Sequence, residues 1–370
     1  MIAGLRHFAL NLRYALRPRK PLLTLRLAKA VLLAKAWRQA ARLSQMVQAG
    51  RLHPRLRYVD FAVDFACNLS CEHCFAAALK RPGRPQMEVA DYARVAREAM
   101  RLGAVNFSFQ GGEPLLFPRL REVIAACRPA RNVISVTTNG TLLSEERVAE
   151  LRRWGVDILT VSLDSSVPEE HDRFRGRAGT FQATLAGIER GLAAGLHVSL
   201  GTVVTHQSLR GDGIRGLMDL AIRKRMILYF ILPVRAGRWR GNSEMLLTED
   251  DLRFIEEQTR RSPYLRTDFQ ANLCGTGCGA AKEILYLTPY GDVLVCPFLH
   301  ISFGNVLDDD LGTIRARALR VPRLAVYHQK CLASTDDEFV ARYLSKTFAA
   351  KELPLRWDEV FRPGDLEGSR

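Results

Sequence analysis

The stretch Tyr58-Val59-Asp60-Phe61-Ala62-Val63-Asp64-Phe65-Ala66-Cys67-Asn68-Leu69-Ser70-Cys71-Glu72-His73-Cys74 places three thiols within eight residues, at spacings of four and three. Ahead of them Val59, Phe61, Val63 and Phe65 interleave with Asp60, Ala62 and Asp64, the alternation of a β-strand. The thiols therefore sit on a loop leaving the C-terminal end of a first strand. Thiolates select soft or borderline metals, so the choice is zinc or an iron–sulfur cluster. A closed zinc site wants four ligands, and His73 could supply the fourth. Three cysteines on one loop suit a cluster in which three irons are held and one is left open. An iron without a protein ligand can bind a substrate or cofactor directly. Spacing favours the cluster, with zinc second and a chance grouping third.

Outward from this loop, the 370-residue chain is long enough for one large domain and a smaller one. Its 47% apolar and 25% charged residues are those of an ordinary globular protein. Of its eight cysteines, seven group as the triad and a later quartet, Cys274, Cys278, Cys296 and Cys331. Cys127 stands alone and is expected to be a buried apolar residue. The first 45 residues lack a compact apolar core followed by a small-residue cleavage site, so no secretory signal is expected. Clustered cysteines then read as metal ligands rather than disulfides, and the cytoplasm is the expected compartment.

The net charge of +15 is uneven. Residues 1–57 hold 13 Lys or Arg and no acid, which leaves 41 basic and 39 acidic groups for the other 313 residues. Leu5, Phe8, Ala9, Leu12 and Leu16 form one apolar helical face, with Arg6, Arg13 and Arg17 on another. Pro18 and Pro21 interrupt it, and a second helical stretch is expected over about 22–48. Five charges inside that stretch argue against a bilayer span. The helices are expected either to pack on the body or to make peripheral membrane contact through residues 1–48 at the inner face of an anionic membrane. Little aromatic interleaving supports nucleic acid.

From residue 58 to about 234, strands and helices alternate. Strands are expected at 104–110, 132–138, 156–163, 196–205 and 226–232, after the first at 58–65. Helices are expected at 88–102, 118–128, 144–154, 180–194 and about 213–224. Six strands joined through helices by short connections imply a parallel sheet, wound open or curled into a partial barrel. Function then gathers at the C-terminal strand ends. The second loop reads Gly111-Gly112-Glu113-Pro114; its glycines let backbone approach a ligand, and Glu113 could accept bonds from an ammonium group. The third reads Thr137-Thr138-Asn139-Gly140, and the fourth strand ends in Ser162-Leu163-Asp164. Arg175, expected in a loop, could bind a carboxylate.

Together, Cys67-x3-Cys71-x2-Cys74, Gly111-Gly112-Glu113-Pro114, Thr138-Asn139-Gly140 and Ser162-x-Asp164 resemble the radical S-adenosylmethionine (radical SAM) superfamily over about residues 58–245. The resemblance implies an α/β fold, a partial (β/α)6 TIM-like barrel. It implies a [4Fe–4S] cluster on Cys67, Cys71 and Cys74 whose fourth iron is chelated by SAM. His73 would lie near the adenine and Glu113 on the methionine ammonium. Gly111, Gly112 and Asn139 would line the cofactor, and Ser162 and Arg175 would approach its carboxylate and ribose. The reduced cluster would cleave SAM to a 5′-deoxyadenosyl radical, which abstracts a hydrogen atom from substrate. Asp164 lies at the depth of a substrate contact or proton acceptor. An external electron donor such as flavodoxin or ferredoxin is implied.

Past Arg238 the alternation stops. A helix near 248–261 leads to Cys274-Gly275-Thr276-Gly277-Cys278-Gly279, then to a hairpin turning at Pro289-Tyr290-Gly291-Asp292 and ending at Cys296-Pro297. Four cysteines around a hairpin are a metal site, zinc or iron–sulfur. Cys278-Gly279, Gly291-x4-Cys296-Pro297 and Gly304-Asn305 resemble the SPASM or twitch extension of radical SAM enzymes. That implies one auxiliary [4Fe–4S] cluster on Cys274, Cys278, Cys296 and Cys331. The expected organisation is a basic helical segment (1–57), the barrel (58–245), the auxiliary domain (246–335) and a C-terminal helix and tail (336–370). The expected function is an oxidative modification, either peptide or protein maturation or dehydrogenation of a biosynthetic intermediate. Alternatives are a radical SAM enzyme acting at a membrane on a lipid or lipid-linked sugar, a zinc-bound nucleic-acid-binding module, and an iron–sulfur electron carrier.

Overall fold

The computed structural model describes residues 55–268 and 277–366. The basic N-terminal segment to residue 54 and Cys274 therefore lie outside the described residues.

The alternating segment folds as the sequence predicts. Strands β1 (Tyr58–Asp64), β2 (Asn106–Gly111), β3 (Val133–Thr138), β4 (Ile158–Ser162), β5 (His197–Val203) and β6 (Ile227–Ile231) pair in order, each parallel to the last. Helices α1 (Val89–Leu102), α2 (Leu120–Ala126), α3 (Glu145–Arg153), α4 (Pro168–Arg175), α5 (Thr180–Ala193) and α6 (Asp212–Lys224) make the crossovers. Helix α1 shows why the boundaries were readable. Glu88 and Asp91 form a reciprocal capping box, and Gly103 closes the helix in the left-handed region. Tyr92, Val95, Ala96 and Ala99 recur at i, i+3, i+4 and i+7 and are buried. On β1, Val59, Phe61 and Val63 face the helices; the Phe61 ring lies 6.3 Å from Phe107, 6.0 Å from Phe109 and 5.2 Å from Tyr92.

The sheet does not close. A short β7 (Leu265–Thr267), after helix α7 (Glu249–Arg261), extends it beyond β6. At the other edge β8 (Ile284–Leu287) returns to pair parallel with β1, followed by β9 (Asp292–Leu294) and β10 (Ile301–Asn305), each antiparallel to its predecessor, and β11 (Leu355–Arg356). The order is β11-β10-β9-β8-β1-β2-β3-β4-β5-β6-β7, one eleven-stranded sheet. The predicted hairpin is thus β8–β9, and it joins the barrel at its first strand rather than after its last.

Two expectations change. Residues 170–176 were expected as loop, but Arg175 ends helix α4, which opens with Pro168 at its first turn and stops at Gly176 with φ of 72°. Strands β7, β10 and β11 were not foreseen; at two to five residues they are too short for alternation to stand out.

Candidate active site

The cysteine loop is gripped from three sides. From α4, Phe174 and Arg175 accept backbone bonds from Glu72 N (2.9 Å) and Ser70 N (3.3 Å). From the segment after β6, Arg238 N donates to Cys74 O at 3.1 Å, and its guanidinium donates to Ser70 O (3.0 Å) and Ser70 Oγ (2.9 Å). Gly237 makes that approach possible: its φ is 61°, and a Cβ there would stand 2.1 Å from Cys74 O. The third grip is the Gly111-Gly112 turn. A Cβ on Gly112 would meet Ala66 O at 2.0 Å, and one on Gly111 would meet Asp64 O at 2.1 Å. The sequence suggested that these glycines make room for a ligand; in the structure they make room for the chain that carries Cys67. Gly112 N and Glu113 N then bond Asp64 O and Ala66 O, both at 2.8 Å.

Held this way, Cys67, Cys71 and Cys74 are unpaired and partly exposed. Two of the sulfurs face N–H donors: Leu69 N lies 3.5 Å from Cys67 Sγ, and Arg175 Nη1 3.7 Å from Cys71 Sγ. Among the described residues no three His, Cys, Asp or Glu side chains converge as they would on one metal ion. Three thiols on one loop with N–H groups near two of the sulfurs are a donor set that suits an iron–sulfur group.

Glu113 is 1% exposed. One carboxylate oxygen accepts from Leu115 N (3.1 Å) and Thr138 Oγ1 (2.7 Å), the other from Asn139 N (2.8 Å). Three donors leave about one of a carboxylate's four acceptor positions for a ligand donor. Burial, against those bonds, pushes its carboxyl up to about 7. Asn139 is a strut: its Nδ2 donates to Asn68 Oδ1 (2.8 Å) and its Oδ1 accepts from Thr141 N (2.9 Å). His73 stacks on Phe174 with centroids 4.4 Å apart and lies 5.8 Å from Trp239. Burial, with Arg175 nearby, lowers it to about 3, so it stays neutral, and its Nδ1 is buried with no partner. An orphaned nitrogen beside an aromatic stack is a ready contact for a planar ligand. Ser162 ends β4 opposite Gly201. Asp164 is buried with both oxygens taken: Oδ2 by Arg175 Nε at 2.5 Å and Oδ1 by Val203 N at 3.0 Å. Burial alone would raise its carboxyl, but Arg175 outweighs that and holds it below the ordinary value.

The barrel interior is polar. Opposite the helix-facing residues stand Asp60, Ser108, Ser135, Thr160, Ser199 and Tyr229. The register sets Tyr286, Asp60, Ser108 and Ser135 side by side across β8, β1, β2 and β3. Asp60 is 5% exposed, and burial, partly offset by Ser108, Gln110 and Tyr58, raises it to about 7. The Tyr286 hydroxyl is buried without a partner. Sequence reading overlooked Asp60, although an acid amid strand alternation was the available signal. Asp60 and Glu113 are therefore expected to be protonated well above pH 4. Because their folded values are raised, each favours folding in the protonated form, and that stability is lost as pH rises from the ordinary range toward about 7, by at most about 1.4 kcal/mol per pH unit for one proton. Infrared titration should find two protonated carboxyl bands at pH 6, one of them absent in Asp60→Asn and the other in Glu113→Gln.

In the second cysteine group, Cys278, Cys296 and Cys331 are unpaired. Burial raises all three thiols, and Cys331 feels the charge of both others. Lys282, fully buried, stands close to Cys278; its Nζ donates to Ala280 O (3.0 Å) and Leu324 O (2.8 Å), and burial lowers it to about 8. This lysine was also missed. Cys127 is fully buried in the core, as expected.

Residues 65–217 match the Radical SAM superfamily. The AdoMet-dependent heme synthase of Oleidesulfovibrio alaskensis is 30% identical over 285 residues, 69% of this chain and 73% of that one. The chain belongs to the radical SAM superfamily. The AdoMet-dependent heme synthase of Methanosarcina barkeri is 32% identical over 184 residues, 49% of this chain and 52% of that one, so the chain spans about half of that relative's length. Among solved structures, Streptococcus suis SuiB bound to its precursor peptide SuiA overlays with a TM-score of 0.60 at 18% identity, covering 80% of this chain and 76% of that chain. That likeness concerns the fold. Radical SAM proteins bind a [4Fe–4S] cluster and SAM. Among the described residues no helix is long and apolar enough to cross a membrane.

Proposed function

We propose that this radical SAM enzyme cleaves SAM at a cluster held by Cys67, Cys71 and Cys74 and oxidises a polar substrate inside the barrel. The observation that carries the reading is the triad itself, three unpaired thiols fixed by three neighbouring elements, with N–H groups aimed at two sulfurs. When bound, the cluster and SAM supply a one-electron reduction and then hydrogen-atom abstraction. Glu113 offers its remaining lone pair to the SAM ammonium. His73, backed by Phe174, forms a flat wall for the adenine. Gly111, Gly112 and Asn139 set the floor of this pocket, and Ser162 and Arg175 border it. Asp60, beside Tyr286, accepts a hydrogen bond from a substrate hydroxyl or amine. Cys278, Cys296 and Cys331, with Cys274, hold an auxiliary [4Fe–4S] cluster, and the Lys282 ammonium offsets its charge. Bound there, such a cluster would supply an acceptor for the electron that a net oxidation leaves on substrate.

The substrate is a peptide side chain or a biosynthetic intermediate, and an external one-electron donor, flavodoxin or ferredoxin, reduces the enzyme. Anaerobic reconstitution tests the reading. Two clusters require about eight irons and eight sulfides per chain, with 5′-deoxyadenosine released on adding dithionite and SAM. About four irons would remove the auxiliary cluster and the oxidative role with it. Zinc without iron or sulfide would overturn the proposal.

A further inference from the structure

We propose that Arg175, clamped by Asp164, is a positioning residue that donates a charge-assisted hydrogen bond to the Cys71 sulfur and so sets the reduction potential of the group bound at the triad. The inference rests on the cluster reading of that triad.

Arg175 is 6% exposed, which is uncommon for arginine, and it occupies the last turn of α4. Its Nε is 2.5 Å from Asp164 Oδ2, and its Nη1 is 3.7 Å from Cys71 Sγ. The planar fork allows one guanidinium to serve both partners at once, which a lysine ammonium on a flexible stem does less well. Asp164 is itself fixed, since its other oxygen accepts from Val203 N on β5. The backbone holds the same geometry. Ser70 N bonds Arg175 O, and Gly176 approaches so closely that a Cβ there would lie 2.6 Å from Ser70 O. The guanidinium therefore cannot drift from the sulfur without dismantling a buried ion pair and a backbone contact.

The sign follows from charge. Reduction adds an electron to the group the sulfur ligates. A fixed cation and an N–H···S bond stabilise the more negative state, so they raise the potential. Asp164 tempers the cation and aims it. This gives Asp164 a different role from a proton acceptor: both of its oxygens are occupied, and Arg175 keeps its carboxylate ionised.

The test uses the full-length, anaerobically reconstituted enzyme and its Arg175→Gln and Arg175→Lys variants. Iron and sulfide counts establish loading. Only a cluster with an open iron changes its EPR spectrum when SAM is added, which identifies the relevant signal. Its midpoint is then measured without SAM, so that any change in SAM affinity does not enter. In Arg175→Gln the reduced state should be disfavoured about tenfold, a downward shift of about 59 mV for a one-electron couple. Arg175→Lys should fall between it and the wild type. If Arg175→Gln does not load, Arg175→Lys decides by the same sign. Full loading with an unchanged midpoint would overturn the inference and leave the proposed function standing, even if SAM binding weakened. Absence of any SAM-responsive signal in the wild type would instead overturn the cluster reading beneath it.

Discussion

Replacing Cys67, Cys71 and Cys74 together by alanine is expected to abolish formation of 5′-deoxyadenosine while leaving the fold intact. The three side chains lie on a loop and are partly exposed, whereas the core is built from Val59, Phe61, Val63 and the helix faces. Little packing is lost, so circular dichroism should match the wild type. About four irons should remain, those of an auxiliary cluster. Their survival would separate the two thiol groups, and Cys127→Ala should leave the iron count unchanged. Retention of SAM cleavage in the triple variant would mean that the triad is not where SAM is reduced.

Gly112→Ala is expected to have the second largest effect, and through geometry alone. The backbone of Gly112 is not in the left-handed region, so alanine carries no conformational penalty there. The obstacle is main chain: the added Cβ would stand 2.0 Å from Ala66 O, 2.6 Å from Ala66 C and 2.8 Å from Phe65 C. No side chain can rotate away to relieve it. The two loops must part, and the bonds from Gly112 N and Glu113 N to β1's end stretch with them. Overpacking of this kind costs about 1–3 kcal/mol. Here the displaced residues are those leading into Cys67, so the variant should also lose iron on gel filtration. Gly364→Ala, with nothing within 4 Å of the new Cβ, is the control and should behave as the wild type. Wild-type iron retention in Gly112→Ala would show that the loop holds its cysteines without this contact.

How much of this was legible beforehand differs by feature. The parallel core was readable because its strands alternate and a helix such as α1 carries its own start and stop, at Glu88 and Gly103. The cysteine triad was readable because its thiols fall within eight residues of sequence. What escaped is long-range. Arg175 was read as a loop residue facing a carboxylate, and its contact with a thiol was not foreseen, because its partners, Asp164 and Cys71, are 11 and 104 residues away. The grip of Gly237 and Arg238 on the cysteine loop spans more than 160 residues, and nothing local in Gly237-Arg238-Trp239 announces it. Asp60 was hidden by its own regularity. Acids on the polar side of an alternating strand, here Asp60 and Asp64 with Ala62 between them, read as a solvated face until the sheet curls and turns that face inward. Lys282 was passed over because the Leu324 carbonyl it bonds is 42 residues away.

The pairing of β8 with β1 has a mechanical consequence. Since β8 runs parallel to β1 and β9 runs back, Cys296 emerges level with the start of β1, whereas Cys67 emerges beyond its end. Asp60 and Tyr286, paired across β1 and β8, therefore lie between the levels at which the two thiol groups leave the sheet. A one-residue insertion in the turn at Pro289-Tyr290-Gly291 would slip the β8–β9 ribbon and rotate each β9 side chain to the wrong face. It would also misplace Cys296 at the end of that ribbon. The chain therefore cannot shed its second cysteine group as a detachable module: to lose β8 and β9 is to strip the pairing partner from the edge of β1.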